Sequence, residues 1–206
     1  MNSTSPDSSS TAKWSRSGVP VVLGLILLTV AYRLAISHFG FAGNTAPLMA
    51  TAFGGALLLG LRFWWIPALA LVASDLILGF WHGSGGIGGY TILSACFIFA
   101  VSYTAAVLGR RKKTWARMLF GTLVCSVAFY VVANTYSWLA WPGYEKSLFG
   151  WWQSQTVGVP NVSPPAWAFL RNALIADTIW CGLAGVLFFF DFRSLGQGQA
   201  SVSESV

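Results

Sequence analysis

Four ionisable side chains stand where hydrocarbon is expected. Arg33, Asp75, Arg171 and Asp177 each interrupt a long apolar run. A charge left in a bilayer core is costly, so each should face a bundle interior or a wet cavity. Tyr90, Asn134, Tyr136 and Trp138 add hydrogen-bonding groups to the same runs. Guanidinium, carboxylate, amide and ring groups of this kind suit directional binding of a polar solute. Catalysis is less well provided for, because no paired carboxylates, Ser/His couple or multi-His set lies within reach along the chain. An intramembrane enzyme, with Asp75 or His82 as base acting on a lipid head group, is the weaker rival. His82 has no second ligand at a metal-binding spacing, so it counts as a candidate solute contact, and neither a metal nor a cofactor is expected. The glycines around it, in 81–89, superficially resemble a phosphate loop. They follow an apolar run rather than a strand and lack the Lys-Ser/Thr that a nucleotide requires. The bland alternative is glue between helices, Arg33 pairing with Asp75 and Arg171 with Asp177. The second pair is six residues apart on one helix, about 120° from facing, so any pairing there must cross between helices.

The elements that must hold these groups follow from composition. Of 206 residues, 55% are hydrophobic and 9% charged, against roughly a quarter charged in a soluble domain, which excludes an ordinary water-soluble enzyme. The basic surplus forms neither a stripe nor an aromatic-interleaved patch, so no nucleic-acid partner is expected. A bilayer core of about 30 Å needs roughly 20 apolar residues per helix. Windows of that kind cover 19–39, 90–108, 118–139 and 168–190. The stretch 46–80 is too long for one crossing and is interrupted by Arg62, with Pro67 soon after. It divides into 46–61 and 63–80. Charge supports the division: with six spans and the N-terminus in the cytoplasm, nine basic residues fall inside (Lys13, Arg16, Arg62, Arg110, Arg111, Lys112, Lys113, Arg117 and Arg193) and one, Lys146, falls outside. A single span over 46–80 would translocate the cluster at 110–117. The expectation is an all-α integral membrane six-helix bundle, N- and C-termini cytoplasmic, over residues 18–193. Polar tails at 1–17 and 194–206 are expected to be disordered. Cys96, Cys125 and Cys181 all lie in apolar segments, which leaves no disulfide framework.

This topology fixes depths. At about 1.5 Å per residue, Arg33 lies about 9 Å below the outer end of its helix, Asp75 about 7 Å, Arg171 about 5 Å and Asp177 about 13 Å. Tyr90, Asn134 and Trp138 reach the same level, and the inner half has no equivalent cluster. A channel would need polar lining throughout, so a one-sided cluster predicts a pocket open outward and closed inward. The loop 140–167, with Trp141, Tyr144, Trp151, Trp152 and Trp167 and three prolines, could serve as an aromatic lid, although interfacial belts also use such residues. Ala31 and Ala35 make a small-xxx-small pair on the first helix, a face that permits close helix contact.

The segments Tyr32-Arg33-Leu34, Asn44-Thr45-Ala46-Pro47, Ala52-Phe53-Gly54-Gly55, Ser74-Asp75-Leu76-Ile77-Leu78-Gly79 and Phe169-Leu170-Arg171-Asn172, leading to Asp177, resemble an uncharacterised bacterial family of six-helix membrane proteins. That family is similar to the substrate-binding S-components of energy-coupling-factor (ECF) vitamin transporters. The resemblance covers roughly residues 31–187. It implies a bacterial inner (plasma) membrane location and uptake of a small-molecule nutrient such as a vitamin. It further implies an ATP-driven coupling subunit docked on Ala31 and Ala35, and no enzymatic activity. The expected binding residues, taken from the one-sided polar cluster and the loops above it, are Arg33, Asn44, Asp75, His82, Tyr90, Asn134, Trp138, Arg171 and Asp177. S-component relatives that bind corrinoids use a cysteine from the outer pocket; this chain has none in the loop after Asp75. The remaining alternative is a membrane scaffold or accessory subunit with no ligand.

Overall fold

The apolar run 46–80 folds into two helices, and the turn falls where the charge argument places it. In a computed structural model, which describes residues 9–39, 45–81, 87–111, 113–160 and 164–188, the first of these helices ends at Gly60. Its φ of 71° is open to glycine at little cost. The chain reverses through residues 61–64, leaving Arg62 exposed. The described residues form seven helices and no strand. They are α1 (Ser9–His38), α2 (Ala50–Leu59), α3 (Trp65–Trp81), α4 (Gly89–Leu108), α5 (Trp115–Ala140), α6 (Leu148–Gln155) and α7 (Ala166–Phe188). Four of them, with α1 taken over Val19–His38, are long and apolar enough to cross a membrane. The backbone of α1 is already helical from Ser9, inside the stretch expected as a tail.

Helix α2 departs most from expectation. The sequence predicts a sixteen-residue membrane helix over 46–61. Instead, ten residues form a helix with every side chain buried, at about 15 Å too short to cross a hydrocarbon core. It touches α1, α3, α4, α5 and α7, and so forms the axis of the bundle. A helix that is apolar all round belongs inside. The large exposed hydrophobic side chains, such as Leu27, Leu69, Ile92, Phe120 and Ile179, lie on the helices around it, where a lipid boundary accounts for them.

Residues Ala50–Gly55 of α2 are wound as a π-helix, with i→i+5 hydrogen bonds in place of i→i+4. Its sequence of small residues lets the surrounding helices come close, the main source of association where lipid removes the hydrophobic drive. Gly121 of α5 is one such approach: a Cβ there would collide with the buried ring of Phe53. Polar bonds fix the axis to its wall. Thr29 and Thr51 share a 2.9 Å hydrogen bond between α1 and α2, and Ser102 of α4 donates to Ala52 O at 3.2 Å. At the far end of α2, Lys113 Nζ donates to Leu58 O at 2.6 Å.

Lys113 belongs to a basic end of the bundle, together with Arg62, Arg110, Arg111 and Arg117, the last donating to Leu108 O. The opposite end joins the close of α1 to that of α3, where the His38 and Trp81 rings lie 5.1 Å apart. It also joins the start of α4 to the last turns of α5, where Tyr90 and Tyr136 are 6.2 Å apart. Helix α6 sits at this second end. Ser147 caps it by accepting from Gly150 N at 3.1 Å, a polar N-cap in keeping with the usual preference. The loop expected as a lid is thus partly helical. Trp151 Nε1 donates to Thr135 at 3.0 Å and Tyr130 OH to Gln155 O, which tie α6 down along α5.

Candidate functional site

At the end carrying α6, helices α4, α5 and α7 enclose a cavity of about 380 Å³ with the residues that lead into α2. Leu48 and Met49 contribute from that approach, Tyr90 from α4, and Phe169, Leu170, Ala173 and Asp177 from α7. Helix α5 presents Ser126, Phe129, Tyr130, Ala133, Asn134 and Ser137. Their spacing of three, one, three, one and three residues is that of a single helical face. The polar groups of the lining are two phenols, two hydroxyls, an amide and one carboxylate, set among aromatic and aliphatic carbon. That composition is usual for a small-molecule pocket.

Asp177 is the deepest charged group. It is 1% exposed; Oδ1 accepts Ala50 N–H at 2.8 Å, and Oδ2 accepts Ser126 Oγ–H at 2.5 Å. Its carboxylate therefore caps the N-terminus of α2 from outside that helix. The first N–H groups of a helix have no partner of their own, and the positive end of the helix dipole favours an anion. Lys113 at the Leu58 carbonyl is the cationic counterpart at the other terminus. Burial lowers the Lys113 ammonium below its ordinary value.

Arg33 and Asp75 do not line the cavity. Arg33 Nη2 meets Asp75 Oδ1 at 2.5 Å, and Nη1 donates to Ser74 Oγ at 2.5 Å and to Leu71 O at 3.4 Å. They form an interhelical clamp between α1 and α3, as the bland alternative had it. Tyr90, which lines the cavity, lies within electrostatic range of both. Arg171 corrects the second half of that alternative. It is exposed, rests over the Trp167 ring at 5.2 Å, and donates to Asn172 Oδ1 at 3.2 Å through Nη2. It neither pairs with Asp177 nor enters the cavity; a long cationic side chain one turn inside a membrane helix reaches for the interface.

Trp138 also lies off the cavity. Its indole donates to Glu145 O at 2.9 Å, while Lys146 donates to Trp138 O and Trp141 O, folding the loop back on the last turn of α5. Trp141, Tyr144, Trp151, Trp152 and Trp167 are absent from the lining, so the described part of the aromatic loop packs beside the cavity. Tyr144 is buried against Trp141, with ring centroids 5.7 Å apart, and burial raises its phenol pKa. Trp152, Leu148 and Phe149 point outward from α6, in the manner of an interfacial helix. Asn44, His82 and the glycines at 83–86 lie outside the described residues. Ala31 and Ala35 both face away from the bundle.

Of the expected binding residues, the fold thus brings together Tyr90, Asn134 and Asp177. It adds Ser126, Phe129, Tyr130, Ser137, Phe169 and Met49. The α5 stripe was present in the sequence at helical spacing, but serines and tyrosines in an apolar helix carry less signal than charges do. Asn134 was recognised; Tyr136 and Trp138, which follow it closely in the chain, point elsewhere.

Four helices fit to cross a membrane, arranged with α3 about a buried axial helix, make this a protein of multi-pass membrane type, all-helical over its described residues, with a chamber at one end. The chain belongs to a family of unknown function (DUF6580), which matches residues 14–195. No curated protein and no solved structure matches it.

Proposed function

We propose that the protein is a bacterial inner-membrane receptor for a small water-soluble nutrient, with six membrane helices, both ends in the cytoplasm and the cavity on the outer side. The observation that carries this reading is the 380 Å³ cavity at the end of the bundle away from the basic cluster. Its hydrogen-bonding groups converge from α4, α5 and α7. Basic loops stay cytoplasmic, so Arg62, Arg110, Arg111, Lys113 and Arg117 orient the cavity outward. The lining supplies hydrogen bonds and ring faces, which suit holding a solute. Uptake would draw on an ATP-driven coupling subunit, with the outward face of Ala31 and Ala35 as its docking surface, in the manner of ECF S-components.

Native mass spectrometry of the protein released from a mild detergent tests the reading. A co-purifying small molecule is expected, with occupancy lost in Tyr130→Phe/Asn134→Ala and kept in Arg33→Ala. The clamp between Arg33 and Asp75 favours a second reading, a ligand-free membrane scaffold held together by polar contacts. An empty preparation, in which cavity and clamp variants differ from the parent in stability alone, would decide for the scaffold.

A further inference from the structure

We infer that the chamber selects organic cations: a protonated amine or charged nitrogen heterocycle on an aromatic or aliphatic body, with anions rejected. The inference rests on the receptor reading and deepens it. Among the described residues, Asp177 carries the one formal charge of the lining, and no Arg, Lys or His lines the cavity. The hydrogen bonds Asp177 accepts come from neutral donors, the Ala50 and Met49 amides and the Ser126 hydroxyl. Its charge is therefore capped but not neutralised by any side chain among the described residues. The guanidinium of Arg33, which acts on Tyr90, is committed to Asp75. A buried anion without a counter-ion is costly, and a bound cation relieves that cost where an anion would add to it.

The rings make the same choice independently. Phe129, Tyr130, Phe169 and Tyr90 all line the chamber, and aromatic rings carry a negative quadrupole on their faces, to which ammonium groups are drawn. Among the described lining residues an anion would find phenol, hydroxyl and amide donors but no positive charge.

Three probes that share an indole body and differ in charge test this: tryptamine, an ammonium at pH 7, the neutral alcohol tryptophol, and the anion indole-3-acetate. Binding is measured to the full chain in phosphatidylcholine nanodiscs, by equilibrium dialysis against empty discs. Tryptamine is expected to bind at least about tenfold more tightly than tryptophol, with indole-3-acetate unbound. Asp177→Asn keeps an acceptor for Ala50 N–H and should bring tryptamine and tryptophol to within about twofold of each other. If that variant fails to fold, Phe129→Leu leaves the cap intact and should weaken tryptamine about threefold or more relative to tryptophol. Binding of indole-3-acetate as tightly as tryptamine, or a cation preference unchanged in the variants, overturns the inference and leaves the receptor standing. If none of the three binds, this inference falls, while the receptor reading stands or falls separately on the co-purifying molecule in native mass spectrometry.

Discussion

At Asp177 one carboxylate closes two structural circuits, the amide of Ala50 and the hydroxyl of Ser126. Asp177→Ala strands both donors in a buried setting, at a cost of about 1–3 kcal/mol each. A fall in unfolding temperature in detergent, much larger than for Asp177→Asn, is the expected result. Arg33 and Asp75 behave differently, being 15% and 23% exposed. Each single alanine substitution should destabilise, and the double variant should lose less than the sum, with a coupling of about 0.5–3 kcal/mol in a double-mutant cycle. Additive losses would show that the two do not act as a pair. The sequence announced these groups by type, since formal charges in apolar runs stand out, but not by direction. Arg33 and Asp75 face each other across α1 and α3. Arg171 lies in the same outer layer and turns away. At about 3.6 residues per turn, a small error in helix phase carries a side chain from chamber to lipid.

The elements were legible where length and charge spoke together. Arg62 and Pro67 divided 46–80, and the basic run beyond α4 fixed which ends belong together. That α2 would be the axis was not legible, because a continuously apolar segment reads alike at a lipid boundary and in a bundle centre. Helix α6 was hidden by its brevity and by Gly150. Two tests belong to this scale. Gly121→Ala should destabilise by about 1–3 kcal/mol, since the new methyl meets the immobile ring of Phe53; Phe53→Leu in the same chain should recover part of the loss. Lys113, with its pKa lowered in the fold, binds its proton less readily there than when unfolded. Between its folded value and the ordinary 10.5 the unfolded chain holds more protons, so stability rises with pH across that window and the deficit is fully present below it. Lys113→Met should flatten that alkaline rise in an unfolding titration.

For the whole molecule, the orientation of the two ends is the statement most open to direct measurement. With Cys96 replaced, a cysteine introduced at Lys146 should react with an impermeant maleimide from outside intact cells, and one at Arg111 only after permeabilisation. Labelling of both from one side would put the two ends of the bundle on the same face of the membrane, and the proposal of an outward chamber would fall with it. The chamber itself follows from the shortness of its central member. Four neighbours of α2 are long enough to cross a bilayer, whereas α2 stops about halfway; Leu48 and Met49, at its upper tip, are the chamber's floor. The architecture is a stubby piston in a full-length cylinder, and the chamber is its headroom. Extending the piston by a turn of alanine before Leu48 would fill that headroom from below while leaving every wall residue in place.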